Sequence, residues 1–210
     1  MLIFAKIKRK MKVSVIGAGN VGATCANVLA NYDVAKEVVL LDIKDGFAEG
    51  KALDIWETAA VLNYSTKTVG ATNDYGATAG SDIVVITSGM PRKPGMSRDD
   101  LISTNANIVK SVTEQVIDAS PNAIVIVVAN PLDVMTYCAY LAAKVDHRKV
   151  FGMAGILDTA RYKAFLADEI GCSPKDIQAV LMGGHGDTMA PLTRYTCLLY
   201  TSPSPRDSIR

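Results

Sequence analysis

Gly17-Ala18-Gly19-Asn20-Val21-Gly22 restricts this chain more than any other segment. It follows a β-branched run, Lys12 to Ile16. It also opens a stretch, Asn20 to Asn31, whose small and apolar residues recur at helical spacing. Glycines spaced in this way between a strand and a helix have separate tasks. The first makes a tight turn, the second lets a pyrophosphate come close to the backbone, and the third lets the helix pack on the strand. A diphosphate would then sit at the positive end of the helix. A glycine turn alone is a weak signal, but Asp42 follows Gly22 by twenty residues and ends a second apolar run, Val38 to Asp42. An acid there accepts hydrogen bonds from an adenosine ribose and repels a 2′-phosphate, which favours NAD over NADP. The competing reading is a bare glycine turn with a solvated acid.

The rest of the chain repeats this strand-then-helix alternation. Asp82 to Thr87 reads as a strand almost wholly apolar and Ala123 to Ala129 as another strong strand, with a weaker strand at Thr66 to Val69 and a short one at Val150-Phe151. Phe47 to Leu62 reads as one helix with Leu53, Trp56 and Ala60 on one face. Arg98 to Ala119 reads as a long helix, and Asp133 to Val145 as another with Asp133 as its N-cap. Strands apolar on both faces belong to a parallel sheet covered by helices. The expected fold class is therefore α/β, a doubly wound parallel sheet. From Gly152 the pattern changes. A helix over Leu157 to Ile170 precedes strand-like runs at Gln178 to Met182 and Met189 to Tyr195, which read as the start of an α+β second domain. The expected division is 1–10 as an N-terminal extension before a start at Met11, 11–152 as the nucleotide-binding domain, 153–196 as a partial second domain, and 197–210 as a non-native tail. The stretch from Cys197 does not fit, and within it Thr201-Ser202-Pro203-Ser204-Pro205-Arg206-Asp207-Ser208 is turn-forming and polar and continues no element.

Composition removes other classes. Lys plus Arg number 22 against 21 Asp plus Glu, a net charge of +1, which gives no electrostatic footprint for nucleic acid. Cys25, Cys138, Cys172 and Cys197 lie far apart with no ligand spacing, so no metal site is expected and a reducing, cytoplasmic compartment fits. No apolar run has the length of a bilayer span, and the opening ten residues do not have the layout of a signal peptide.

Three further segments carry chemistry. Gly89 to Arg98 mixes glycine and proline with Arg92 and Arg98, at the carboxyl end of a strand where such sheets bind ligands. Arginine holds a carboxylate through two parallel hydrogen bonds, though spacing alone fits a solvated basic loop equally well. Asp158 and Arg161 share a helix face, and an ordinary i,i+3 salt bridge is the simpler reading. His185 lies in Gly183-Gly184-His185-Gly186-Asp187. The only other histidine, His147, sits among charges in a loop. If a dehydrogenation needs a proton acceptor near neutrality, His185 supplies it, and Asp158 would then fix its tautomer.

With GAGNVG, Asp42, GMPRKPGMSR, VANPLD, LDTAR and GGHGDTM in this order, the chain resembles the lactate/malate dehydrogenase family from about Met11 to Thr196, in its lactate-dehydrogenase-like bacterial branch acting on malate. The resemblance implies NAD as cofactor and interconversion of (S)-malate and oxaloacetate. Gly17, Ala18, Gly19, Asn20, Val21 and Gly22 would bind the diphosphate and Asp42 the ribose. Asn105, Val128, Ala129 and Asn130 would lie along the nicotinamide half, with Asn130 also touching substrate. Arg161 would clamp the carboxylate beside the reacting carbon, Arg98 would polarise the carbonyl, and His185 would exchange the proton with Asp158 behind it. Arg92 would meet the far carboxylate, where lactate dehydrogenases carry an uncharged Gln. The resemblance also implies a homodimer or homotetramer, and a further stretch of roughly 100 residues in complete members. A lactate or other 2-hydroxyacid dehydrogenase and a catalytically inactive NAD-binding fragment are the competing readings.

Overall fold

Val38, Val39, Leu40 and Leu41 are consecutive and all buried. Successive strand side chains point to opposite faces, so this burial requires helices on both sides of the sheet. The computed structural model describes residues 11–91, 95 and 97–199. Its first unit, which ends at Gly152, meets that requirement. Six strands lie in the order β3-β2-β1-β4-β5-β6: β1 (Lys12–Ile16), β2 (Glu37–Asp42), β3 (Lys67–Thr72), β4 (Ile83–Ile86), β5 (Ile124–Val127) and β6 (Val150–Gly152). Every pairing is parallel. The helices are α1 (Asn20–Asn31), α2 (Phe47–Glu57), α3 (Ala59–Leu62), α4 (Arg98–Ala119) and α5 (Leu132–Ala143). The core runs through Val13, Val15, Val38, Leu40 and Val85, closed on one side by Ala26 and Ala30 of α1 and Ala48 and Ile55 of α2. Each large aliphatic side chain buried this way contributes roughly 1.5–3 kcal/mol.

Several elements differ from their expected form. The segment from Phe47 to Leu62 is two helices, broken at Thr58, whose hydroxyl donates to the Ile55 carbonyl at 2.8 Å. The buried residues of α2 are Ala48, Ala52 and Ile55, while Leu53 is exposed. The cause is close packing. A Cβ placed on Gly70 of β3 would lie 2.2 Å from the Glu49 Cα, so the helix backbone rests directly on the strand and only small residues fit beneath it. Strand β3 runs further along the chain than expected because Lys67 to Thr72 pair in register with Glu37 to Asp42. Helix α5 is capped by Pro131 rather than Asp133, which falls in its first turn, where the helix dipole favours an acid. Among the described residues no helix is long and apolar enough to cross a membrane.

The second unit begins at Met153. Helix α6 (Gly155–Ile170) ends on Gly171 in the left-handed conformation. Two small antiparallel pairs follow, β7 (Ile177–Gln178) with β10 (Cys197–Leu198), and β8 (Leu181–Met182) with β9 (Ala190–Pro191). The expected run Gln178 to Met182 is thus split between two pairs. The run Met189 to Tyr195 narrows to Ala190–Pro191 before a 3-10 turn at Thr193–Tyr195, since Pro191 has no N–H to offer a longer ladder. Cys197 and Leu198 were expected to begin a stretch that does not fit the second domain. They pair with β7 instead, because Leu198 packs on the cluster of Ala167, Ile177 and Ala179. Residues 1–10 and 200–210 lie outside the described residues.

Candidate functional site

The order of the sheet reverses between β1 and β4, and the chain leaves both strands there at their carboxyl ends. A crevice at such a switch point is where doubly wound sheets bind ligands. The Gly17 N–H donates to the Leu41 carbonyl at 2.7 Å, tying the glycine turn to the end of β2. Gly17 has a φ of +106°, and a Cβ there would lie 2.9 Å from the Ser88 nitrogen. A Cβ on Gly22 would lie 1.7 Å from the Gly17 carbonyl oxygen, whereas one on Gly19 would meet nothing within 4 Å. The first and third glycines are therefore fixed by the protein's own packing. Gly19 faces open space, with Asn20 and Val21 exposed beside it at the start of α1.

Asp42 stands at the end of β2. Its Oδ2 accepts from the Ala18 N–H at 2.7 Å and its Oδ1 from the Lys44 N–H at 3.0 Å. The carboxylate is thus locked to the glycine turn, and each oxygen keeps a second acceptor direction for a ribose hydroxyl. Both groups border a cleft of about 630 Å³ that also takes in Tyr75, Ser88, Gly89 and the cleft-facing side of α4 from Asn107 to Gln115. Burial, and then the nearby Asp42 carboxylate, push the Tyr75 phenol above its usual range, so it stays a neutral hydroxyl in the cleft. The fit to a dinucleotide is physical: an acid for the ribose, an open glycine at a helix start for the diphosphate, and a mostly apolar cleft.

Asn105 was expected along the nicotinamide half. It is buried in α4, and its side chain binds backbone. Nδ2 donates to the carbonyls of Met90 (3.2 Å) and Asn130 (2.8 Å), and Oδ1 accepts from the Met90 N–H at 2.7 Å. It ties the segment after β4 to the segment after β5. Val128 donates its N–H to the Ile86 carbonyl, Ala129 is buried, and Asn130 is exposed. Arg98 is the first residue of α4, whose Ser97 cap and Asp100 form a reciprocal capping box. Arg92 lies outside the described residues.

In the second unit, Asp158, Arg161 and His185 come together. Asp158 is 4% exposed. Its Oδ2 lies 2.8 Å from the His185 Nδ1, and its Oδ1 accepts from the Arg161 Nη1 at 3.2 Å. The simple i,i+3 salt bridge and the imidazole contact are therefore both present on one carboxylate. The Arg161 side chain is 58% exposed and has further N–H donors to offer. Hairpin β8–β9 carries His185. Gly183 closes its base at a φ of +103°, where a Cβ would lie 2.2 Å from the Thr188 carbonyl oxygen. Thr159, next to Asp158, accepts the Leu181 N–H at 3.0 Å and so fastens β8 to α6.

Sequence reasoning did not single out Thr87, Ser88, Tyr75 or Thr159. The Thr87 hydroxyl lies 3.1 Å from the carbonyls of both Ile16 and Gly17, bracing the glycine turn from the neighbouring strand. The available signal was two hydroxyl residues directly after the apolar strand β4. Among the described residues no cluster of side chains could hold a metal ion.

Comparison with known proteins agrees with this arrangement. Residues 11–152 match the lactate/malate dehydrogenase NAD-binding domain, and residues 156–196 match the alpha/beta C-terminal domain of the same family. The malate dehydrogenase of Cytophaga hutchinsonii is 72% identical over 186 residues, covering 89% of this chain and 60% of that enzyme. The crystal structure of malate dehydrogenase from Salinibacter ruber has a TM-score of 0.84 at 55% identity, covering 90% of this chain and 59% of that one. The lactate dehydrogenase of Cryptosporidium parvum, solved with lactic acid and nicotinamide adenine dinucleotide, has a TM-score of 0.84 at 39% identity, with 90% and 59% covered. The chain spans about 60% of the length of the curated relatives it matches. On this fold and these matches, the chain belongs to the lactate/malate dehydrogenase family, and its first unit is that family's NAD-binding domain.

Proposed function

We propose that the protein interconverts (S)-malate and oxaloacetate with NAD as the hydride carrier. The observation that carries this reading is Asp158 holding an imidazole on one oxygen and a guanidinium on the other. A 2-hydroxy acid needs both partners: a base for its hydroxyl proton and a cation for its carboxylate.

With Nδ1 facing the Asp158 carboxylate at 2.8 Å, His185 keeps a proton on Nδ1, which makes Nε2 the basic nitrogen of the ring. In malate oxidation Nε2 takes the hydroxyl proton as the C–H hydride leaves. In oxaloacetate reduction the protonated ring returns a proton from Nε2 to the carbonyl oxygen. The bound dinucleotide supplies the hydride acceptor or donor. Asp158 stabilises the cationic ring that forms in between. Arg161 takes the carboxylate beside the reacting carbon, Arg98 polarises the carbonyl, Asn130 touches substrate, and Arg92 takes the distal carboxylate.

The malate assignment is supported by the names of the relatives at 72%, 59% and 56% identity, all malate dehydrogenases, and by Arg92. An arginine left without its carboxylate is costly, so pyruvate would be disfavoured by about 2–5 kcal/mol, on the order of 10²–10³-fold or more. The test is Arg92→Gln in the chain extended with the remainder of the Cytophaga hutchinsonii enzyme. The oxaloacetate-to-pyruvate rate ratio should fall by at least about 100-fold; an unchanged ratio contradicts the role of Arg92.

A further inference from the structure

Ser88 lies two residues beyond β4, at the switch point of the sheet, and lines the cleft. Its backbone packs on the glycine turn, with its nitrogen 2.9 Å and its Cα 3.1 Å from where a Gly17 Cβ would stand. Its neighbour Thr87 uses its hydroxyl on the carbonyls of Ile16 and Gly17. The Ser88 hydroxyl, by contrast, is buried and has no hydrogen-bond partner. A buried hydroxyl without a partner is destabilising, and a serine retained at such a place gains if a ligand completes its bonding.

We infer that Ser88 is a further dinucleotide-binding residue, whose hydroxyl hydrogen-bonds an oxygen of the bound cofactor where its diphosphate meets the nicotinamide-side ribose. The placement follows from the cleft. Asp42, Gly19, Ser88 and Gly89 line one cleft, and Asn105 ties the segment that follows Ser88 to Asn130 through the Met90 backbone. Phosphate oxygen and ribose hydroxyl both offer the partner Oγ lacks. The inference rests on the first unit binding NAD.

The test is Ser88→Ala in the full chain, with dissociation constants for NADH, ADP-ribose and ADP measured by calorimetry, and with melting of the ligand-free protein. The variant should bind NADH about tenfold more weakly (~1.4 kcal/mol) and melt at the same temperature or higher, since it removes an unpaired hydroxyl. ADP weakened alongside NADH and ADP-ribose places the bond on the diphosphate. ADP unchanged with the other two weakened places it on the ribose. Equal NADH affinity in both proteins overturns the inference. So does a lower melting temperature of the variant, which would mean that the hydroxyl already has a partner inside the protein. Failure of the unmodified chain to bind NADH would instead overturn the underlying assignment.

Discussion

Asp158 has one carboxylate oxygen on each of two partners, so its replacement should be felt twice. In Asp158→Asn the amide N–H₂ can face His185 Nδ1, which moves the ring proton to Nε2 and removes the base. It also takes the negative charge from Arg161. In the extended chain kcat should fall about 10²–10⁴-fold, with KM for oxaloacetate rising as well. A purely structural role would lower the melting temperature and leave both constants unchanged per folded molecule. Asn105 makes a different prediction. Asn105→Ala removes three hydrogen bonds and leaves the Met90 N–H and the Asn130 carbonyl without the partner they had. Unfolding by urea should show a loss of about 2–4 kcal/mol; no loss would mean that these bonds do not hold the two segments. The Asp158–His185 contact was expected from the family resemblance and Asp42 from its place at the end of an apolar run, and the structure shows that contact and Asp42 at the end of β2. The tasks of Asn105 and Thr87 were not readable from the sequence. Thr87 acts on Gly17 across seventy residues of chain, and only the folded sheet brings them together.

Among the elements, the glycine turn separates folding from binding. Gly19 has an ordinary φ of −63° and free space where a side chain would go, while Gly22 has none. Gly19→Ala should therefore keep its stability within about 0.5 kcal/mol and weaken NADH binding at least about tenfold (~1.4 kcal/mol), because the methyl occupies the diphosphate's approach. Gly22→Ala should destabilise the fold itself by about 3 kcal/mol or more. Paired melting and NADH titration check both; a Gly19→Ala protein that binds normally would mean that the diphosphate lies elsewhere. The strands β2, β4 and β5 were legible because apolar runs fit a sheet covered on both faces, and β1 because a β-branched run leads into the glycine turn. The division of Phe47 to Leu62 into two helices was not. Its buried side was set by how closely α2 approaches Gly70, a distance that periodicity does not encode. The small strands of the second unit were misjudged for a related reason: two-residue pairings depend on partners elsewhere in the chain, such as Leu198 for Ile177.

At the scale of the whole molecule, the two units differ in how much core they hold. The first buries three sheet strands, β1, β2 and β4, nearly end to end. The second gathers around Ala167, Ile177 and Ala179, while Ile156 and Phe165 of α6 are more than 70% exposed. Because the first unit holds its own core around the cleft, the chain is predicted to bind NADH. The most direct measurement is NADH oxidation with oxaloacetate and, separately, with pyruvate. It should be made on this chain and on the same chain extended with the remainder of the Cytophaga hutchinsonii enzyme. The account predicts fast oxidation by the extended chain with oxaloacetate, at least about 100-fold slower with pyruvate, and lost on His185→Asn. An extended chain that prefers pyruvate, or that keeps its rate without His185, would contradict it.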